Sequence, residues 1–129
     1  MSNPVYAPNA GCLFNSVVNG FTDFTAGPLA SGPVDLSAST DVLLAVTVPA
    51  GALSGTNPSL AVQLDGVDPA GNPIPAMVKT PAITSAGVYT VSGGLHSSGL
   101  VLPATGRLTV TLGGAGAAAV GIQITVTGR

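Results

Sequence analysis

Charged residues are scarce in this sequence, and glutamate and tryptophan are absent from it. Charged side chains make up 6% of the 129 residues, against roughly 25% in ordinary soluble domains. The net charge of −2 is too small for electrostatic repulsion to keep copies of the protein apart. A mean hydropathy of +0.58 adds to the tendency to associate. We therefore expect a chain that inserts into a membrane, aggregates or works inside an assembly.

The apolar stretches are too short or too interrupted to cross a membrane, which needs about 20 consecutive apolar residues. The stretch 113–126 alternates in polarity through Gln123 and Thr125, and the stretch 42–53 contains Pro49. The first residues, MSNPVYAPNAG, contain neither the basic nor the apolar segment of a secretory signal. We expect no transmembrane segment, and we expect synthesis in a cytoplasm. The single cysteine agrees with that compartment.

Few residues are available for catalysis. The only histidine, His96, lies beside Ser97 and Ser98 in a polar loop, and no G-x-S-x-G motif accompanies it. Neighbours on a short loop rarely reach the geometry of a catalytic triad. Cys12 has no base nearby in the sequence, which favours a small hydrophobic residue over a reactive thiol. We expect a protein that is not an enzyme and that needs no cofactor.

Metal and nucleic-acid sites are also poorly supported. Asp65 and Asp68 could offer two carboxylates to Ca²⁺, but the EF-hand spacing is missing, so the pattern favours a turn before Pro69. Three basic residues spread along the chain cannot neutralise several phosphates. We therefore predict neither a metal site nor a nucleic-acid partner.

Alternation of apolar and polar residues predicts an all-β fold from about residue 35 onward. Pro- and Gly-rich turns, among them residues 56–58 and 113–114, separate the strands. About seven short strands indicate a small antiparallel β-sandwich or barrel over residues 34–129. Clear alternation marks 42–48, 60–65, 108–112 and 120–127, and weaker strands are predicted at 76–78, 87–91 and 99–102. The outward positions carry mainly Thr, Ala, Gly and Gln, so neighbouring chains are expected to cover faces or edges.

Residues 1–33 have no sustained alternation, yet they contain four of the five aromatic side chains. We predict an extended or weakly structured N-terminal arm that anchors the protein on a partner, because aromatic residues dominate interface hot spots. The alternative is that these rings fill one end of the chain's own sandwich. At most one or two helical turns are expected near residues 14–21. The candidate anchors are Tyr6, Phe14, Val17, Val18, Phe21 and Phe24.

Several segments resemble small β-rich virion proteins of tailed bacteriophages. The segment 53–68, LSGTNPSLAVQLDGVD, is similar to their S/T-G-T-x-P-x-L-x-V-x-L-x-G-x-D strand, and 84–90, TSAGVYT, to a T-x-A-G-x-Y strand entry. The segment 102–114, LPATGRLTVTLGG, and the strand at 120–126 resemble their C-terminal part. The resemblance covers roughly residues 40–128.

This resemblance implies a capsid decoration, or cement, protein on the outside of the virion head. It implies the major capsid protein and further copies of the chain, as a homotrimer, as partners. One alternative is a tail tube or tail-tip subunit. Another is a carbohydrate- or host-binding β-sandwich module, for which the sequence has few aromatic residues.

Overall fold

The computed structural model describes residues 11–25 and 27–129, which form nine strands and two one-turn helices. In chain order, the first elements are β1 (Cys12–Asn15), α1 (Ser16–Asn19), β2 (Phe24–Thr25), β3 (Gly27–Asp35) and β4 (Asp41–Val48). They are followed by β5 (Leu53–Val67), β6 (Pro73–Lys79), β7 (Gly87–Gly94), α2 (Leu95–Ser98), β8 (Thr105–Ala119) and β9 (Gln123–Gly128).

The strands form two antiparallel sheets. The four-stranded sheet has the order β1-β9-β4-β7. In the five-stranded sheet, β8 pairs with β5 on one side and with β2 and β3, at different stretches, on the other, and β6 extends the sheet beyond β5. The inner faces of both sheets contribute to one buried apolar core. The prediction of an all-β antiparallel sandwich is confirmed.

The alternating segments supply the core as predicted. Leu44 and Val46 of β4, Val62 and Leu64 of β5 and Leu108 of β8 are all fully buried. Their neighbours along each strand point outward, because successive side chains of a strand lie on opposite faces. Burial of this apolar surface at about 25 cal/mol per Å² is the main force that holds the two sheets together.

The strand predicted at 99–102 is wrong. The chain forms the helical turn α2 just before it, and Gly99 ends that turn in the left-handed conformation, with a φ of 71°. The amide of Leu100 then donates to the carbonyl of Gly94 at 3.1 Å, which bends the chain away from an extended path. Pro103, which has no amide hydrogen, follows within the same loop.

Two predicted turns lie inside long strands instead. Residues 56–58 belong to β5 and residues 113–114 to β8, and the β5–β8 register shifts between Ser54 and Ser59. Gly114 has a φ of 119°, and a Cβ atom there would lie 2.7 Å from the carbonyl oxygen of Thr56. Glycine therefore lets the two irregular stretches pass close to each other without ending the pairing.

The described part of the predicted arm is built into the sandwich. Strands β1, β2 and β3 pair with β9 and β8, and β3 runs across the predicted boundary between residues 33 and 34. Phe14 and Phe24 are core residues, with Phe24 only 3% exposed. Phe21 packs edge-to-face against both rings, at centroid distances of 6.1 and 4.9 Å. Residues 1–10, which include the candidate anchor Tyr6, and residue 26 lie outside the described residues.

The physical reason for this difference is apolar burial. An aromatic side chain gains a few kcal/mol when it leaves water, and the open end of this chain's own sandwich provides that environment. Phe14, Phe21 and Phe24 therefore follow the alternative, in which the rings fill one end of the chain's own sandwich. Deleting residues 1–30 would remove β1 and β2 together with this cluster, so that deletion cannot isolate a separate anchoring arm.

We predict that Phe24→Ala lowers the free energy of unfolding by about 3–5 kcal/mol, because it leaves a cavity in the core. The matched change Val18→Ala, at a side chain that is 70% exposed in α1, should alter it by less than about 0.5 kcal/mol. Urea unfolding followed by circular dichroism measures both values. Similar small losses for the two variants would contradict the placement of Phe24 in the core.

Candidate interaction surface

The outer face of the four-stranded sheet exposes no charged side chain on its three longer strands, because Asp41 of β4 is buried. In the β4–β7 and β4–β9 ladders, Leu43 lies between Ser92 and Thr127, and Ala45 lies between Thr90 and Thr125. Thr47 lies between Val88 and Gln123 in the same way. We call this set the neutral face, and its members are Leu43, Ala45, Thr47, Val88, Thr90, Ser92, Gln123, Thr125 and Thr127.

The neutral face combines small polar groups with a few apolar side chains. Leu43 and Val88 are exposed, and Val88 is 69% accessible. Asp41 is the one charged residue in β1, β4, β7 and β9, and it is buried at the end of β4. Exposed sheet faces usually carry lysine and glutamate, which are costly to desolvate. This face can therefore be buried against another surface without the penalty of removing charges from water.

The five-stranded sheet differs on its outer side, where charges are present. Asp65 of β5 lies opposite Arg107 of β8, and Lys79 of β6 lies opposite Gln63. The carboxylate of Asp65 accepts hydrogen bonds from Thr109 Oγ1 at 2.6 Å and from Gln63 Nε2 at 2.7 Å. It also accepts a hydrogen bond from the amide of Ala76 at 2.7 Å, which fixes the irregular part of β6 against β5. All the charged residues that lie in strands, apart from the buried Asp41, thus belong to the five-stranded sheet.

A buried aspartate fixes the end of β4 beside the neutral face. Asp41 is 4% exposed, and its Oδ1 accepts the amides of His96 at 2.9 Å and Ser97 at 3.0 Å, together with the Ser97 hydroxyl at 3.2 Å. Its Oδ2 lies 2.6 Å from His96 Nδ1. The backbone of Asp41 also pairs with that of Arg129. The carboxylate of Asp41 therefore joins β4 to α2, and its backbone joins β4 to Arg129.

The environment of Asp41 favours its ionised form. The hydrogen bond with His96 holds the pKa of Asp41 far below its ordinary range, and the amides of His96 and Ser97 act in the same direction, whereas burial opposes the shift. The first amides of a helical turn need acceptors, and a side-chain oxygen normally supplies them from just before the turn. Here Asp41 supplies that oxygen from β4, a strand that lies far from α2 in the sequence but next to it in the fold.

The His96–Asp41 pair resembles part of a catalytic triad, but the neighbouring hydroxyls have other partners. Ser97 Oγ donates to Asp41, and Ser98 Oγ donates to the carbonyl of Gly94 at 3.3 Å. The imidazole is mostly exposed. In the described residues, this arrangement is that of a helix cap. An open depression of about 260 Å³ lies next to it, lined by Asp41, Ser97 and Arg129 and by Leu43, Ser92 and Thr127 of the neutral face.

Five of the six candidate anchors lie in the described residues, and they fall into two groups. Val17 and Val18 are exposed on α1, where they can meet a partner. Phe14, Phe21 and Phe24 form the aromatic cluster inside the sandwich. Ser16, which the sequence analysis did not select, is buried between these groups, and its hydroxyl accepts the amide of Ile124 at 2.8 Å and donates to the carbonyl of Ile122 at 3.3 Å.

The aspartates near Pro69 have separate roles. Asp68 accepts hydrogen bonds from the amides of Ala70 at 2.9 Å and Asn72 at 2.8 Å, so it holds a turn that contains Pro69 rather than one before it. Asp65 belongs instead to the outer side of the five-stranded sheet. Within residues 11–25 and 27–129, no three His, Cys, Asp or Glu side chains form a group that could hold a metal ion. No helix in these ranges has the length and apolar character that a membrane span requires.

The sequence analysis missed the role of Asp41. Aspartate is a common helix-capping residue, but a capping residue is usually recognised within a few positions of its helix. Asp41 and the turn that it caps are 55 positions apart, so only the pairing of β4 with β7 brings them together. The one signal in the sequence was the His-Ser-Ser segment shortly after Gly93 and Gly94. If this segment forms a helical turn, its first backbone amides need acceptors, and glycine has no side chain to supply one.

Comparisons with family models, curated proteins and solved structures found no match to this chain.

We predict that Asp41→Asn makes stability depend less steeply on pH in acid. In the unfolded chain the aspartate takes up a proton near pH 3.9, whereas folded Asp41 stays ionised at that pH. Its contribution is therefore complete above this pH and is lost as the pH falls toward the lower folded pKa. Urea unfolding between about pH 2 and pH 6 measures the slope.

A second variant separates the contribution of the His96 imidazole to this pH dependence from that of the backbone amides. His96→Gln removes the imidazole but leaves the charge of Asp41 and the backbone amides that bind it, so its slope should lie between those of the wild type and Asp41→Asn. The pKa values of Asp35 and Asp68 are also lowered by hydrogen bonds. Both residues are present in every variant, so they contribute to each slope alike. An Asp41→Asn slope equal to that of the wild type would contradict the role of this carboxylate.

Proposed function

We propose that this chain is a structural, non-enzymatic virion protein that binds the outside of a phage capsid lattice and stabilises it. Its partners in this proposal are the major capsid protein and other copies of the chain. The neutral face is the observation that carries the proposal. Surface charges keep a protein soluble in water, and the outer side of this sheet exposes none on β4, β7 and β9.

Small uncharged side chains suit burial against a protein lattice. The threonine, serine and glutamine side chains of the neutral face can exchange hydrogen bonds with water for hydrogen bonds with a partner. Leu43 and Val88 add apolar area at the same surface. The cost of desolvation is low for such groups, so even a contact without charged hot spots can give a net gain in free energy.

Stabilisation would follow from mass action. A protein that binds the assembled lattice but not its dissociated subunits makes disassembly less favourable by the free energy of binding. The effect is repeated at every symmetric site, so a modest affinity for each site produces a large effect on the particle. No catalytic group is needed for this role.

The resemblance to decoration proteins supports the identity of the partner. Most of the residues that carry it lie in strands β5, β7, β8 and β9. The carbohydrate-binding alternative has less support, because the three phenylalanines form an inner cluster and the Tyr89 hydroxyl donates to the carbonyl of Ser85 at 2.8 Å. The tail-subunit alternative shares the same surface chemistry and differs only in its location.

The N-terminal region offers further contacts for this role. Val17 and Val18 project from α1 and remain our proposed anchors, together with Tyr6, which lies outside the described residues. A partner would bury two adjacent β-branched side chains at this turn. These contacts are additional to the neutral face, since α1 follows the edge strand β1.

We predict that a charge placed on the neutral face weakens head binding. Thr127→Lys puts an ammonium group on this face, where burial would require its desolvation, and should weaken binding about tenfold or more. Thr111→Lys makes the same change at an exposed position of β8, on the outer side of the five-stranded sheet, and should bind like the wild type. Co-sedimentation with heads stripped of the native protein measures the affinities.

Location is tested on virions of the phage whose genome carries the gene. Gold-labelled antibodies against the chain should mark the head, and heads with the protein restored should retain their DNA to a higher temperature than stripped heads. Labelling confined to the tail would replace the proposal by the tail-subunit alternative. Unlabelled virions, or equal binding by the two lysine variants, would contradict it.

A further inference from the structure

Most sheet edges in the described residues carry features that prevent pairing with another strand. Strand β1 has four residues and a register shift, and β2 has two residues. Strand β3 contains Pro28 and Pro33 and a register shift of its own. Strand β6 contains Pro73, Pro75 and Lys79. Short length, irregular register, proline and lysine are the devices by which natural sheets avoid edge-to-edge association.

Strand β7 is an edge strand with none of these devices. It pairs with β4 over Gly87–Gly94 in an unbroken register and contains no proline and no charged residue. It pairs with no other strand of the described residues, and it is the last strand of its sheet. Its central positions, such as Val91, are β-branched or aromatic residues that favour extended backbone.

The hydrogen-bonding direction of β7 follows from its junction with α2. The amide of Leu95 donates to the carbonyl of Thr40, the next pair beyond Asp41 and Gly94 in the ladder. Every second residue of an antiparallel strand points its backbone groups toward the same neighbour. The amides and carbonyls of Val88, Thr90 and Ser92 therefore point away from β4, toward the open edge.

We propose that β7 pairs antiparallel with β7 of a second copy of this chain, about a two-fold axis through Thr90. In this register Thr90 faces Thr90 of the second copy, and Val88 faces Ser92. Tyr89 faces Val91 on the core side of the sheet. Threonine pairs and aromatic–β-branched pairs are favourable cross-strand neighbours. The open amides and carbonyls at Val88, Thr90 and Ser92 gain partners in the same step.

The charge pattern argues that the strand that pairs with the open edge of β7 belongs to a second copy of this chain. Self-pairing brings each residue opposite itself or a near neighbour, so any charge on β7 would meet a like charge at short distance. The strand has no such charge, and the adjoining outward residues of β4 have none either. The paired sheets would have eight strands, and the two neutral faces would become continuous. This inference does not depend on the proposed binding to a capsid.

Such a contact is isologous, because the same surface is used by both copies, and it closes at two. It therefore differs from the homotrimer that the resemblance implies. The molar mass of the purified full chain, measured by light scattering or sedimentation, should be that of two copies. A trimer or a monomer at all accessible concentrations would overturn the proposal.

Two charge variants test the register. Thr90→Lys and Thr90→Glu each place like charges opposite one another at the two-fold axis, and each should raise the dissociation constant of the dimer about tenfold or more. An equimolar mixture of the two should restore the dimer, because the introduced charges are then opposite in sign. Restoration also shows that both variants are folded. The control is Thr111→Lys, which adds the same charge at an exposed position of β8 in the other sheet, away from β7, and should remain a dimer.

Amide hydrogen exchange locates the contact. The amides of Val88, Thr90 and Ser92 should exchange slowly in the wild-type dimer and much faster in Thr90→Lys. The amides of Tyr89 and Val91, which point toward β4, should remain protected in both. Unchanged mass of Thr90→Lys, failure of the mixture to dimerise, or rapid exchange at Val88, Thr90 and Ser92 in the wild type would each overturn the proposal.

Discussion

The pairing of β8 with three other strands is the interaction on which most of the sandwich depends. Strand β8 binds β5 along nearly its whole length on one side, and β2 and β3 on the other. In the described residues, β2 and β3 pair with β8 alone, and β1 pairs with β9. Each of β5 and β8 is fifteen residues long. Their pairing shifts register near Gly55 and Gly114 but resumes beyond these glycines. A side chain at either position would force the backbones apart.

Alternation predicted the core because it reports one buried face and one exposed face. Val62 and Leu108 could be assigned to the inside from their neighbours alone, and the structure buries both. The same signal failed at 12–35 for a physical reason. Strand β2 is too short to alternate, and β3 is interrupted by proline and a register shift, so its pairing is dictated by β8 rather than by its own pattern.

The candidate surface could be predicted only in part. The sequence shows that outward positions such as Thr47 and Thr125 lack charge, but it does not show which strands share a sheet. The order β1-β9-β4-β7 gathers the uncharged positions on one face and leaves Asp65, Lys79 and Arg107 in the other sheet. The cap formed by Asp41 depends on the same topology, since the carboxylate and the amides of α2 meet only because β4 pairs with β7.

The neutral face and the open edge of β7 make different physical demands on a partner. The face needs a broad surface that tolerates uncharged contact, whereas the edge needs extended backbone with free amides and carbonyls. One β7 strand can serve both, because its side chains point across the sheet and its free backbone groups lie in the plane of the sheet. Pairing two copies would leave both faces exposed and side by side. A lattice that bound them would then bind two linked sites at once, and the second contact would cost less entropy than the first.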